Sequence, residues 1–185
     1  IPDTQADHDE KQLETAKSSI QRAMAQIRDL QELAPSVIIE TLPKGLRIQI
    51  TDNDKRPLFK QGSEDLNSTG FQVLKMVSDV VKKLPNKLAI TGHTTRVDFM
   101  EGPKGKSNWG LSLGRANSAR LNLKRNGIPN IRILTIDGKA DTNLLDKNNP
   151  NASRNRRIAV LLLRKGKKVT QMELAPNRIF KLPYQ

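Results

Sequence analysis

The sequence predicts an α+β fold, a two-layer sandwich in which helices pack on one face of a mixed sheet, preceded by an N-terminal helical linker. Two runs of apolar residues at helical spacing alternate with short apolar runs that suit strands. Residues 158–163 form a continuous apolar run, which is typical of a central strand. The predicted order is β-α-β-α-β-β, and such alternation favours helices on one side of a single sheet.

The N-terminal segment is predicted to be helical. Residues 10–34 place apolar side chains at alternating spacings of three and four, which is one face of a helix: Leu13, Ala16, Ile20, Ala23, Ile27 and Leu30. Pro35 is predicted to end this helix. The stripe fits a short dimeric coiled coil or packing against the main domain equally well.

Two strands are expected next. One run covers residues 37–40, of which the first three are apolar, and residues 46–50 alternate between apolar and polar side chains, as a strand with one buried face requires. Pro43 and Gly45 separate the two runs. After a polar loop, Ser63-Glu64-Asp65 is predicted to start a helix that runs to Pro85, because acidic residues are favourable at a helix start.

The second half continues the alternation. A strand at 88–90 leads into the loop Gly92-His93-Thr94-Thr95, and Ser112 is the predicted N-cap of a second helix. This helix is expected to end at Gly127. Residues 132–136 are predicted to be a core strand, and an Asn-rich loop covers 138–155.

Composition bounds the function. The 185 residues suffice for one domain, and the absence of cysteine excludes thiolate metal sites and cysteine nucleophiles. No apolar run approaches the roughly 20 residues that span a bilayer, so any membrane anchor is expected to lie outside this sequence. The formal net charge is +13, with −4 in residues 1–42 and +17 in residues 43–185, so the domain should attract polyanions or carboxylates. Nucleic acid is disfavoured, because aromatic residues for base stacking make up 3% of the chain.

Catalytic signatures are missing from the sequence. It has two histidines, no metal-ligand spacing, no phosphate-binding glycine loop and no nucleophile elbow. We therefore expect no enzyme activity, no metal and no cofactor. What remains is a binding constellation of Thr94, Thr95, Asn108 and Arg115, in which a helix start and an arginine are suited to hold a carboxylate.

Several motifs together resemble one family. They are Gly45-Leu46-Arg47-Ile48-Gln49-Ile50, Arg56-Pro57-Leu58-Phe59, Gly92-His93-Thr94, Ser107-Asn108-Trp109, Leu111-Ser112 with Arg115-Ala116, and Asn155-Arg156-Arg157-Ile158. The stretch is similar to the OmpA-like domain of flagellar stator proteins of the MotB type over about residues 43–164. The resemblance implies a non-catalytic domain that binds the diaminopimelate-containing stem peptide of peptidoglycan.

The resemblance also implies the binding residues. They are Thr94, Thr95, Asn108, Leu111, Arg115 and Arg156. In relatives an arginine at the Arg115 position holds the ligand carboxylate, and an aspartate after the GHT motif holds its ammonium group. Thr95 stands at that aspartate position here, with Asp98 as a substitute anion and Arg96 making the mouth more cationic.

The family context implies three segments and a location. Residues 1–42 are expected to be a periplasmic linker, 43–164 the peptidoglycan-binding domain and 165–185 a basic extension. The chain would be the periplasmic portion of a single-pass inner-membrane protein, pairing as a homodimer and working beside a MotA-like A subunit. Two alternatives stay open: an outer-membrane or lipoprotein wall tether of the OmpA or Pal type, and a cationic nucleic-acid binder.

Overall fold

Five strands form one mixed sheet, and all the longer helices lie on one of its faces. A computed structural model describes residues 4–96 and 107–165. Its helices are α1 (Thr4–Gln26), α2 (Arg28–Gln31), α3 (Ser68–Val81) and α4 (Asn108–Arg125). Its strands are β1 (Val37–Leu42), β2 (Gly45–Thr51), β3 (Leu88–His93), β4 (Ile133–Gly138) and β5 (Arg157–Leu163). The predicted α+β class is confirmed.

The strand order is β1-β2-β5-β3-β4. Strand β5 lies at the centre, antiparallel to both β2 and β3, and all seven of its residues are buried. This confirms the prediction that the continuous apolar run is a central strand. Among the five described strands, β3 and β4 alone pair in parallel, and α4 is the crossover between them.

Strand β4 was predicted as a core strand, and this prediction is wrong. It is an edge strand whose residues are half-buried or exposed, with Leu134 48% exposed. The sequence does not reveal this, because a short apolar run fits a central strand and a half-covered edge strand equally well.

The main core lies between the sheet and the helices. Alternate side chains of the strands point towards α3 and α4, and the buried set includes Leu46, Ile48, Ile50, Leu88, Ile90, Ile158, Val160 and Leu162. The intervening residues of each strand point to the opposite face of the sheet. The register of the strand pairs places these residues side by side on neighbouring strands.

Both predicted helix starts are displaced. Helix α3 begins at Ser68, after Asn67, so Ser63-Glu64-Asp65 belongs to the preceding loop. Helix α4 begins at Asn108, and Ser107 is its N-cap, accepting a hydrogen bond from the Gly110 backbone N–H at 3.2 Å. A serine or acidic residue one turn away has the same local signature as the real cap, and tertiary contacts decide between them.

The N-terminal stripe packs against the domain, which is one of the two alternatives left open by the sequence. Leu13, Ile20 and Leu30 are each at most 2% exposed and belong to the main core. The predicted continuous helix is wrong, because the chain is extended at Ile27 (φ −85°, ψ 108°) and restarts as α2. Ile27 is therefore 42% exposed, and Met24 is buried within the stripe instead.

The sheet begins earlier than the predicted domain boundary. Residues 37–42, assigned to the linker, form β1 and pair with β2 from Val37 opposite Ile50 to Leu42 opposite Gly45. A turn at Pro43 and Lys44 joins the two strands into a hairpin. The sheet therefore includes the last six residues of the predicted linker. In the described ranges, none of the helices is both long and apolar enough to cross a bilayer.

Candidate functional site

Four of the six predicted binding residues lie at one end of the sheet: Thr94, Thr95, Asn108 and Arg156. The register sets His93, at the end of β3, opposite Arg157, at the start of β5, which in turn pairs with Thr51 at the end of β2. Thr94 and Thr95 follow β3 at this end, and Arg156 precedes β5. Topology thus brings residues that are about 60 positions apart in sequence to the same edge.

Asn108 joins the start of α4 to the strand-end loop. Its side-chain Nδ2 donates to the backbone oxygens of Thr95 at 3.2 Å and Arg96 at 3.1 Å. Thr94 is held from the other side, because its N–H donates to the Ala140 carbonyl oxygen at 2.9 Å. These bonds fix the loop against the helix start, where backbone N–H groups and the helix dipole favour an anion.

Close approach between α4 and the sheet depends on a glycine. A Cβ atom at Gly92 would collide with the backbone oxygen of Ser112. Ser112, predicted as the N-cap, instead lies inside the helix, where its Oγ donates to the Trp109 oxygen at 2.9 Å. The same Oγ accepts from the Ala140 N–H at 3.0 Å. The hydroxyl therefore holds Ala140, whose carbonyl oxygen in turn accepts from Thr94, and it does not cap the helix.

Arg115 is the most deeply buried cation in the site. Its side chain is 1% exposed, and its Nε donates to the Ser63 carbonyl oxygen at 3.1 Å. The guanidinium lies 4.9 Å from the centroid of the Phe59 ring, a distance at which cation–π attraction operates. The loop before α3 thus supports the arginine that the sequence singled out.

Arg156 is held by acidic residues that follow β2. Its Nε donates to Asp52 Oδ2 at 2.7 Å, and its Nη2 lies 3.4 Å from Asp54 Oδ1. The Asp52 carboxylate also accepts from the Leu58 N–H at 2.7 Å. Leu58 precedes Phe59, so Arg156 and Arg115 are connected through this loop. An ion pair with this geometry positions the loop and orients Arg156.

The remaining predicted binding residues are buried. Thr94 and Thr95 are at most 1% exposed, and Leu111 is 9% exposed. Arg96 is exposed and lies 3.7 Å from Asp141. Asp98, the predicted substitute for the missing aspartate, lies outside the described residues, as does almost all of the basic segment 165–185.

Sequence reasoning missed the supports of the two arginines. Phe59 and Ser63 surround Arg115, and Asp52 holds Arg156, but none of them was assigned a role in the site. Phe59 stands in a motif that was noted, and an isolated aromatic residue in a basic chain is a weak cation–π signal. The backbone oxygen of Ser63 carries no signal in the sequence.

Comparison with known proteins places this geometry in a family. Residues 58–157 match the OmpA family, which is more than half of the chain. The chain is 38% identical over 136 residues to motility protein B of Escherichia coli K12, covering 74% of this chain and 44% of that protein. It therefore spans less than half the length of this curated relative.

Solved structures share the fold. A MotB-like protein from Desulfovibrio vulgaris aligns with a TM-score of 0.64 at 20% identity, covering 86% of this chain and 98% of that one. The cell wall anchor of the type VI secretion system (T6SS) from Pseudomonas aeruginosa aligns with a TM-score of 0.60 at 23% identity, covering 77% and 97%. At these identities the likeness is one of fold.

Proposed function

Because this chain belongs to the OmpA family and is similar to motility protein B, we propose that it is a non-catalytic, peptidoglycan-binding anchor of a flagellar motor stator. The observation that carries the proposal is the site at the sheet end. There Asn108 fastens the start of α4 to the Thr94-Thr95 loop, and Arg115 lies seven residues into the same helix.

The ligand we propose is the acidic end of a stem peptide. A carboxylate paired with a guanidinium in a dry site forms charge-assisted bonds that are about twice as strong as neutral ones. The charge of +17 on residues 43–185 draws such a ligand towards the domain. Thr95 offers only a neutral hydroxyl to the ligand ammonium, which favours weaker binding than an aspartate would give.

Access to Arg115 requires movement in this proposal. A side chain that is 1% exposed is closed to a ligand of peptide size. A carboxylate reaches the guanidinium only when the surrounding residues open, so the closed form competes with binding. Affinity then falls in proportion to the fraction of molecules that are open.

The same proposal extends to partners and location. The domain would lie in the periplasm, joined to an inner-membrane helix outside this sequence, and would act as a homodimer beside a MotA-like subunit. The linker predicted over residues 1–42 would end before β1, and its helix α1 would be docked at rest and released when the stator joins the motor.

Sedimentation with purified sacculi tests the wall-binding site. We expect Arg115→Ala to lower the pelleted fraction several-fold, because the carboxylate loses its only proposed cationic partner in the helix. Arg125→Ala is the matched control, since it removes the same charge from the exposed end of α4. Free diaminopimelate should release the parent chain, and circular dichroism must show that each variant is folded at the assay temperature.

A variant that should bind sacculi more tightly complements Arg115→Ala, which should bind them more weakly. Thr95→Asp restores a carboxylate to the position that faces the proposed ammonium group, and a bond to a charged group is worth about 1.5–3 kcal/mol against about 1 kcal/mol for a neutral one. The pelleted fraction should therefore rise. A parent chain that stays in the supernatant, or an Arg115→Ala variant that pellets like the parent, contradicts the proposal.

A further inference from the structure

The sheet face away from the helices contains a cavity that the peptidoglycan site does not use. Its volume is about 140 Å³. Short side chains form the floor of the cavity. Ala159 of β5 lies opposite Thr91 of β3, and Ala89 lies two residues before Thr91 on the same strand. Longer side chains from the flanking strands rise around this floor and make the concavity.

The walls of the cavity are cationic. Among the described residues that line it, four carry positive charge and one carries negative charge: Lys44, Arg47, Lys139 and Arg157 against Asp137. Two ion pairs reduce this excess, since Lys139 lies 2.7 Å from Asp137 and Arg47 lies 2.7 Å from Glu40, which is outside the cavity. Arg157 stands apart from these pairs and keeps its charge in a partly dry space, where electrostatic interactions are strong.

Arg157 is the centre of this charge. It is 3% exposed, and its guanidinium donates to three neutral oxygens: Gln49 Oε1 at 2.9 Å, the Asn155 carbonyl at 3.3 Å and the Asn143 carbonyl at 2.7 Å. Within the described part of the chain, Arg157 has no carboxylate within ion-pair distance. Burial, and then the charge of Arg47, lowers the pKa of Arg157 to about 10, so the group stays charged at neutral pH.

Three bonds leave two of the five guanidinium N–H donors for a ligand. A buried cation that is satisfied only by neutral groups is costly, and a bound anion relieves that cost.

His93 supplies a second polar group. Its side chain is 4% exposed, lines the cavity, and has an Nδ1 atom with no hydrogen-bond partner among the described residues. Burial, followed by the charges of Arg157 and Lys139, lowers the pKa of His93 to about 3, so the ring is neutral at physiological pH. A neutral imidazole donates one hydrogen bond to an oxyanion.

We propose that this cavity binds a phosphate group, either as free phosphate or as a phosphate monoester. The cavity of about 140 Å³ is large enough to admit an oxyanion of the size of phosphate. A dianion suits the excess of cationic side chains better than a single carboxylate does. The ligand is therefore distinct in chemistry from the stem peptide, and its site lies on the sheet face away from the helices.

Titration of the chain with sodium phosphate, followed by ¹H–¹⁵N NMR at constant ionic strength, tests the proposal. We expect saturable shifts at the backbone amides of Thr91, His93 and Asn143, with sodium chloride at equal ionic strength giving none. Binding should persist in Arg115→Ala, because that residue belongs to the other site. Shifts that do not saturate, or that spread over the basic surface, overturn the proposal.

Two variants that should change the phosphate affinity in opposite directions give a sharper test. Lys139→Gln removes a cation and uncovers Asp137, so phosphate affinity should fall by about tenfold or more. Asp137→Asn removes the one carboxylate among the described lining residues, so affinity should rise several-fold, which misfolding cannot imitate. Lys124→Gln, at the exposed end of α4, is the matched control and should bind like the parent. Equal affinity in all three variants overturns the assignment.

A second ligand identifies the source of the phosphate. N-acetylglucosamine 1-phosphate presents the same group as a sugar ester. Binding at least as tight as that of inorganic phosphate assigns the cavity to esters, and binding of inorganic phosphate alone assigns it to the free ion. Binding of neither overturns the proposal.

Discussion

Two arginines show how this protein accommodates buried charge at the level of single residues. Arg115 is 1% exposed and Arg157 is 3% exposed. Arg115 is supported by a carbonyl oxygen and an aromatic ring, and Arg157 by a side-chain amide and two carbonyl oxygens. Among the described residues, the three neutral oxygens around Arg157 satisfy its hydrogen bonds without cancelling its charge, so that guanidinium can still bind an anion.

His93 makes the fold sensitive to acid. The unfolded chain takes up a proton at His93 near pH 6.5, whereas the folded chain does so only near pH 3. Between these values the unfolded state binds more protons, so stability falls as the pH falls. From pH 6.5 to pH 5 the contribution is about 2 kcal/mol, at about 1.36 kcal/mol per pH unit.

Urea unfolding at several pH values measures this effect. His93→Gln replaces the ring by a polar side chain that does not titrate, and its stability should decline less between pH 6.5 and pH 5 than that of the parent. His8→Gln changes an exposed histidine and should keep the parental slope. A parental slope in His93→Gln would mean that other groups cause the acid sensitivity.

At the level of elements, the periodicity of apolar residues predicts where most helices and strands lie. It does not predict breaks in a helix that depend on tertiary contacts. The apolar run of β5 and the helical spacing of α3 are strong local signals, and both elements are present. Ile27 fits the N-terminal stripe as well as its neighbours do, and the break in the chain there has no local signature such as glycine or proline.

The candidate site was predictable only in part. A strand end followed by a helix start is visible in the sequence, and Asn108 indeed connects them. The environment of Arg115 is not visible, because Ser63 is 52 positions away from it. Contacts between residues so far apart in sequence depend on the topology of the whole domain, and no local sequence pattern predicts them.

Besides its apolar stripe, helix α1 is held to the domain by one buried carboxylate. Asp9 is 1% exposed and accepts hydrogen bonds from Asn86 Nδ2 at 2.9 Å and from the Lys165 backbone N–H at 3.0 Å. Asp9→Ala leaves these donors without that acceptor, which should lower the free energy of unfolding by about 2–3 kcal/mol. Urea denaturation monitored by circular dichroism measures the change.

The neighbouring residue provides the control. Glu10 lies 3.1 Å from Arg164 in a pair whose glutamate is 58% exposed. Glu10→Ala should cost less than about 1 kcal/mol, because water and salt screen an exposed pair. Equal costs for the two variants would show that Asp9 is not a special attachment point.

For the whole molecule, the docked helix raises the question of whether the protein works with α1 attached. Ser19 of α1 and Lys83, just after α3, line the same groove between these helices. Cysteines at both positions, in a chain that has no other cysteine, can be joined by a bismaleimide. If release of α1 is needed, cross-linked cells should lose swimming motility.

Single-cysteine variants treated with the same reagent control for modification alone. They should swim like the parent, because each leaves α1 free to detach. Full motility of cells in which the double variant is completely cross-linked would exclude release of α1 as a step in stator function.

The attachment of α1 has a mechanical consequence. Asp9 and Glu10 contact Lys165 and Arg164, which directly follow the central strand β5. Tension applied ahead of Asp9 would load this contact before it loads the strand pairs of the sheet. If the contact yields first, helix α1 detaches and the chain lengthens while the strand pairing stays intact.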